Sequence, residues 1–470
     1  MYTFSSKLKT FSLVLIVLGM LGVGYSFFTA PKTVEDVEKI LAAESAHGGH
    51  HGDADHHDAA AMSEDAHGHD AHGHEGHDAH AAASDSHGAK DHNAEEIHHD
   101  EHHEHLEHVL HQLQNKPWAA LYVAALFFGL LSLGALAFYA IQNAAQAGWS
   151  PVLFRVMEGI SGYLLPGMVI ILLILVAGVM GWHHLFIWMD ETVVADDHLI
   201  QAKSGYLNGP FFLIRAVIFM AGWVLYRQYS RKNSLAQDDA TDNTYYKKNF
   251  KASAGFLVFF IVSESIMSWD WIMSVDPHWF STLFGWYVFA SFFVCGITTI
   301  ALVTVYLKGK GYLEYVNTSH IHDLAKFMFG ISIFWTYLWF SQFMLMWYAN
   351  IPEEIVYYVT RIEQYNLPFF GMVAMNFLFP VLILINTDFK RLSWIIVMAG
   401  IVILSGHYID FFNMIMPATV GDQWYIGVGE ISSVLLFLGL FIFVVFTTLT
   451  KAPLLAKRNP LIEESKHFHY

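Results

Sequence analysis

Apolar residues fall along the chain in ten blocks, each long enough as a helix to cross about 30 Å of hydrocarbon, which takes about 20 residues. The blocks cover approximately residues 10–29, 118–142, 152–182, 209–227, 252–274, 280–307, 324–349, 367–386, 392–414 and 428–449. They are too long and too uniformly apolar for barrel strands, and irregular backbone is costly in lipid, so the pattern predicts an all-α integral membrane protein with ten transmembrane helices. Lys7 and Lys9 precede the first block, its apolar region is long, and Phe28 stands where a cleavage site before Ala30 would want a small residue. That block therefore reads as an uncleaved anchor over residues 1–29.

Composition agrees with this reading. Of 470 residues, 54% are hydrophobic and only 14% charged, where an ordinary soluble domain has about 25% charged residues. The net charge of -17 belongs to one segment: residues 30–116 hold 20 acids, four lysines and 20 of the 29 histidines, and the remainder is nearly neutral. Such a balance suits a lipid bilayer and predicts no nucleic-acid partner. One cysteine, Cys295, excludes a disulfide framework, a cysteine-built zinc site, an iron–sulfur cluster and covalent haem c on this chain, since each needs two or more thiols. Only His407 lies well inside an apolar block, while His183, His184 and His278 lie at block ends, so the two axial histidines of a haem b are not expected.

Lysine and arginine set the orientation. With the N-terminus inside, 18 of the 25 fall on the inner side, six (Lys32, Lys39, Lys90, Lys116, Lys203 and Arg361) on the outer side, and Arg215 within a block. The bias predicts both termini in the cytoplasm and the histidine-rich segment in the periplasm. Residues 47–111 alternate His with Gly, Ala, Asp and Glu, a composition that cannot bury a core and predicts a largely disordered loop. As a solvated tether it would change charge near pH 6. As a metal buffer it would use His98 with His102, or His99 with His103, which share a face if that stretch is helical. No spacing here fixes a coordination geometry, and the tether is the better reading. Leu106, Leu110 and Leu113 form a short apolar stripe at its end, suited to a membrane surface or a partner.

A charge inside the bilayer is expensive, which makes each one a functional candidate. Glu158 on the third block, Glu264 near the middle of the fifth and Asp270 further out are three. His407, Asp410 and Asn413 follow at spacings of three on the ninth, and His320, His322 and Asp323 stand at the inner mouth of the seventh. Ordered by depth, Glu158, Glu264, Asp270, His407, Asp410, His322 and Asp323 suggest a proton path. Paired polar contacts between helices are the competing reading, and Arg215 with Asp270, at similar depth on consecutive blocks, is the favoured ion pair.

An internal echo accompanies these residues. Asp270 precedes Pro277 by seven residues as Asp410 precedes Pro417, with Ser265 and Ser405 in register. Helices four blocks apart and running the same way then belong to two related four-helix bundles, residues 117–274 and 275–414. The anchor 1–29, the loop 30–116, a last helix within 415–450 and a cytoplasmic tail 451–470 flank them.

The stretch Ser265-Ile-Met-Ser-Trp-Asp-Trp-Ile-Met-Ser-Val-Asp-Pro-His-Trp-Phe-Ser-Thr-Leu-Phe-Gly285, the His407-Tyr-Ile-Asp410 segment ending at Pro417 and the ten-helix plan together resemble the F subunit of bacterial alternative complex III. That subunit belongs to the family of the polysulfide reductase membrane subunit. The similarity covers most of residues 118–450, and the Asp276-Pro-His-Trp279 string is its most specific part; the histidine-rich loop is not part of the family pattern. The resemblance implies a quinol:cytochrome c oxidoreductase with two four-helix bundles in this subunit. Partners would be a homologous sister membrane subunit, an iron–sulfur subunit, and multihaem and monohaem cytochrome c subunits. The iron–sulfur clusters and haem c would reside in those partners, and the sister subunit would oxidise quinol. This chain would hold no redox centre, help to translocate protons and supply a possible quinone contact. Carried over residue by residue, the quinone candidates are Asp276, His278 and Trp279, with Asp270, His407 and Asp410 beside them for protons. Trp279 is equally at home in an interfacial aromatic belt. Two other classes compete: a secondary transporter, conceivably of a divalent metal fed by the loop, and a purely structural anchor.

Overall fold

The computed structural model describes residues 1–47 and 90–469, and every regular element among them is a helix. Contacts divide the chain into two units, one of residues 1–30 with 112–470 and one of residues 31–111. In the smaller unit the described backbone is helical over Val34–His47 and again from Lys90 onward. The second helix includes the end of the segment expected to be largely disordered. No glycine or proline occurs between Lys90 and Lys116, whereas glycines punctuate 48–89, and glycine costs about 1 kcal/mol per helical position against alanine. The rest of the proposed tether, 48–89, lies outside the described residues.

Among the described residues ten helices are long and apolar enough to span a membrane: α1 (Ser6–Thr29), α2 (His105–Ala144), α3 (Pro151–Val179), α4 (Gly209–Asp239), α5 (Thr244–Val275), α6 (Phe284–Gly309), α7 (Thr318–Ala349), α8 (Asn366–Leu384), α9 (Ser393–Val420) and α10 (Val428–Leu449). The chain is an all-α, multi-pass membrane protein. Of the apolar window in α2, 94% is buried, and of that in α6, 83%, against 17% for α1. Thus α2 and α6 form the core while the others present apolar faces to lipid. Glycine permits the central crossing: a Cβ on Gly134 would lie 2.4 Å from the Phe292 carbonyl oxygen, and one on Gly296 2.5 Å from the Ala135 nitrogen. Around this core α4 packs on α5, α6 on α7 and α9, and α8 on α9.

Several helices outrun their apolar blocks. α4 continues from 227 to Asp239 and α5 starts at Thr244 rather than 252. Their polar extensions clasp each other: Asn249 Nδ2 donates to the Ser230 carbonyl at 3.1 Å, and the Tyr246 amide donates to Gln237 Oε1 at 2.9 Å. This end of the bundle also carries Arg155, Arg227, Arg231, Lys308 and Lys390 and is called the basic end below; the other is the loop end.

Candidate functional site

The echoed acids enter the fold differently. α5 ends just beyond Trp271 in a 3-10 turn, Met273–Val275, before Pro277. By contrast α9 continues through Pro417 to Val420. Proline lacks an N–H, which deprives the carbonyl four residues earlier of its helical donor. That carbonyl belongs to Asn413, and Arg361 Nε supplies the missing donor at 3.0 Å. Arg361 is 4% exposed, donates also to the Tyr357 carbonyl at 2.7 Å, and lies 3.3 Å over the Tyr357 ring.

Uninterrupted, α9 places His407 and Asp410 one turn apart, both fully buried. Asp410 accepts three neutral donors: the Tyr287 hydroxyl on one oxygen, and Ser291 Oγ and Trp335 Nε1 on the other, each at 2.9 Å. Ser291 Oγ also meets His407 Nδ1 at 2.9 Å. Serine has one proton; with it on Asp410, His407 must carry a proton on Nδ1 to donate to Ser291. His407 Nε2 is then a lone pair, and it has no hydrogen-bond partner among the described residues. No lysine or arginine pairs with Asp410 among them.

Polar groups continue from this cluster toward the loop end. Tyr287 borders a cavity of about 10 Å³, whose walls include Gln342, Tyr357, Tyr358, Arg361 and Asn413. That is about the volume one water needs, and Gln342 Oε1 and Asn413 Oδ1 are buried there without partners among the described residues. Behind α9, Asn376 is fully buried, neither of its amide atoms is paired among the described residues, and its Oδ1 would meet a Cβ on Gly406 at 2.1 Å. Asn376 lies in a π-helical segment, Ala374–Leu378, four residues before Pro380, where the helical ladder is interrupted for want of an N–H.

The remaining candidates lie elsewhere. Arg215 and Asp270 form a two-point ion pair, Nε to Oδ2 at 2.6 Å and Nη2 to Oδ1 at 3.1 Å, with the Tyr206 hydroxyl on Oδ1 at 2.8 Å. Asp270 is thus tied to a cation. Glu158 at the basic end is clasped by Arg155 at 2.8 Å and Arg231 at 2.6 Å, and Arg155 bridges on to Asp238 at 2.6 Å. Glu264 accepts only from Ser265 at 2.9 Å, and its other oxygen is buried without a partner among the described residues. Asp323 pairs with Lys326 at 3.1 Å, and His322 lies beside it on α7.

Asp276, His278 and Trp279 occupy the corner between α5 and α6. Tyr357 stacks on Trp279 at 4.0 Å, and His278 Nε2 binds Asp197 at 2.5 Å. His278 and Trp279 thus each meet a residue from another part of the chain. Asp197, 21% exposed, accepts the Leu199 and Ile200 amides as N-cap of the short helix His198–Lys203; those backbone bonds, the one from Ile200 foremost, hold its carboxyl below the usual range. Among the described residues no three His, Cys, Asp or Glu side chains converge on a metal-sized point. His98, His99, His102 and His103 stand on helical backbone, so each i, i+4 pair shares a face, but their side chains lie outside the described residues.

The sequence reading found His407, Asp410 and Asn413 by their spacing and missed Tyr287, Ser291, Trp335, Gln342, Asn376 and Arg361. All six stand on other elements, and their types alone, aromatic or uncharged but for Arg361, carried no signal. The one available clue was Arg361, an arginine in an outer segment otherwise poor in basic residues. No protein-family model and no curated protein matches the chain.

Proposed function

We propose that this chain is the membrane subunit of a respiratory quinol:cytochrome c oxidoreductase in the bacterial inner membrane, with both termini cytoplasmic, and that it moves protons while partner subunits move electrons. The Asp276-Pro-His-Trp279 string, the His407–Pro417 segment and the ten-helix plan support the complex. The observation that carries the proton role is the buried chain His407–Ser291–Asp410–Tyr287, which ends at a water-sized cavity beside Arg361.

The chemistry balances along that chain. A proton taken up on His407 Nε2 releases the one on Nδ1 to Ser291, whose own proton passes to Asp410. The histidine returns to neutrality and the carboxylate becomes a carboxylic acid. Tyr287, turning its hydroxyl toward the cavity, gives its own proton to a water there and takes the proton of Asp410 in its place, which returns Asp410 to the carboxylate and moves one proton toward the loop end. Asp410 suits this because its three donors are neutral: protonation costs hydrogen bonds but strands no buried cation, whereas protonating Asp270 would strand Arg215. Electrons and haem c stay with the iron–sulfur and cytochrome subunits, and quinol is oxidised at the sister membrane subunit.

The test is purification from the native membrane in mild detergent, with mass spectrometry of the accompanying chains and a reduced-minus-oxidised spectrum. Co-purification with haem c and iron–sulfur subunits is expected. A chain isolated alone, with no haem absorption and with bound zinc, would overturn the assignment in favour of the transporter.

A further inference from the structure

A second cavity lies between α9 and α10, lined by Ser405, Tyr408 and Ile409 beside the His407–Asp410 cluster and by Leu8 of the anchor. Its volume is about 620 Å³, within the range of ligand pockets, and its wall is almost wholly apolar. It follows α10 from Glu430 to Phe446, which at 1.5 Å per residue is about 24 Å. One leaflet of a hydrocarbon core about 30 Å thick measures about 15 Å. A phospholipid held at either face reaches the middle and stops, so its acyl chain fills only part of this groove.

The polar groups on the wall define the head of the occupant. Glu430, in the first turn of α10, is 4% exposed. Its Oε2 accepts the Gly427 amide at 2.8 Å, closing the helix cap, and its Oε1 is buried with no partner among the described residues. The Thr299 hydroxyl, further along the groove, is buried without a partner too. An acidic oxygen inside the membrane seeks a donor. An anionic head group would be repelled and a bare hydrocarbon would leave the oxygen unsatisfied, whereas a hydroxyl satisfies it and needs no counter-ion.

We infer that the groove along α10 binds a neutral lipid of isoprenoid length whose terminal hydroxyl donates to Glu430 Oε1 and whose tail runs toward Leu8 and Phe446. This inference is independent of the proton role: it needs no redox step and uses none of the residues of the Asp410 cluster. Two natural sources share the chemistry, a polyprenol and the reduced form of an isoprenoid quinone, and separate arms of the test distinguish them.

The test uses the full chain, delipidated in detergent, with native mass spectrometry of retained ligand after addition of a polyprenol, a reduced isoprenoid quinone, the hydrocarbon of matching length, or phosphatidylglycerol. At least one hydroxyl-bearing probe is expected to outcompete the hydrocarbon and the phospholipid. Glu430→Leu should cut its retention about tenfold or more, the scale of one hydrogen bond to a buried acceptor, and leave hydrocarbon retention unchanged. Because Glu430→Leu also removes a helix cap, Leu438→Trp, which obstructs the tail path and spares the cap, provides a second reading and should lower retention of every long probe. Equal retention of prenol, quinol and hydrocarbon with no effect of Glu430→Leu would overturn the inference, as would displacement of both hydroxyl probes by phosphatidylglycerol.

Discussion

Asp410 and Asp270 stand at equivalent places in the echo, and their neighbours give them opposite chemistry. Asp270 is locked to Arg215 by two hydrogen bonds. Breaking such a pair strands a buried charge at about 3–5 kcal/mol, while replacing both partners by apolar residues is often neutral. Arg215→Leu should therefore lower the thermal unfolding midpoint in detergent sharply, and Arg215→Leu with Asp270→Leu should recover most of the loss. Asp410, held by neutral donors, is expected to tolerate Asp410→Asn with assembly intact. Turnover coupled to proton movement should then fall by about 10² or more, the scale of a lost positioned acid–base group, in proteoliposomes where protons and electrons are counted together. Glu264→Gln is the companion measurement: Glu264 accepts from Ser265 and has no cation partner among the described residues, and unchanged turnover and stoichiometry would remove it from the path. The sequence marked these acids by their place in apolar runs, and all three are buried. Their partners were not marked, because Tyr287, Ser291 and Trp335 look like ordinary helix residues until α6 and α7 are packed against α9.

Among the elements, proline and glycine decide geometry. Pro417 persists inside α9 because Arg361 donates to the Asn413 carbonyl that the ring leaves unpaired. Pro417→Ala restores the helical donor, so Arg361→Leu should destabilise less in the Pro417→Ala background than in the native chain, with a coupling of about 1 kcal/mol in a double-mutant cycle. The anchor α1 meets α10 through small residues. A Cβ on Gly19 would lie 2.4 Å from the Leu436 amide nitrogen, and one on Gly439 2.7 Å from the Ser12 carbonyl oxygen. Helices in lipid associate through such close packing, and Gly19→Leu should separate α1 from α10, read as lost crosslinking between cysteines placed on the two helices. At the loop end, Asp197 caps a short helix with a carboxyl held below its ordinary range. A lowered folded value means that its contribution is present above about pH 4 and fades as the pH falls through the folded value. Amide exchange over His198–Lys203 should accordingly stay protected at pH 5 and quicken in stronger acid.

For the whole molecule, the basic residues predict both termini in the cytoplasm, and a fluorescent fusion at the C-terminus should emit as cytoplasmic fusions do. Deletion of residues 47–105 should leave the quinol oxidation proposed for the complex largely intact; activity lost on deletion and restored by added metal would reverse the tether reading. The ten helices could be read from hydrophobicity alone because lipid imposes one rule on every segment: about 20 apolar residues with all backbone bonds made internally. Length and polarity are local properties, so the chain by itself determined its class and the approximate position of each span. It also marked the acids whose burial is costly, since a charge in an apolar run is conspicuous wherever it points. Tertiary structure alone decided which acid received an arginine and which received neutral donors. It also decided that α9 runs past a proline while α5 stops short of one, that Trp279 packs under Tyr357, and that Glu430, at the edge of the last apolar block, faces a groove. Each of these depends on side chains from helices distant in sequence, whose contacts follow from close packing and hydrogen-bond satisfaction across the bundle rather than from any periodicity along one helix.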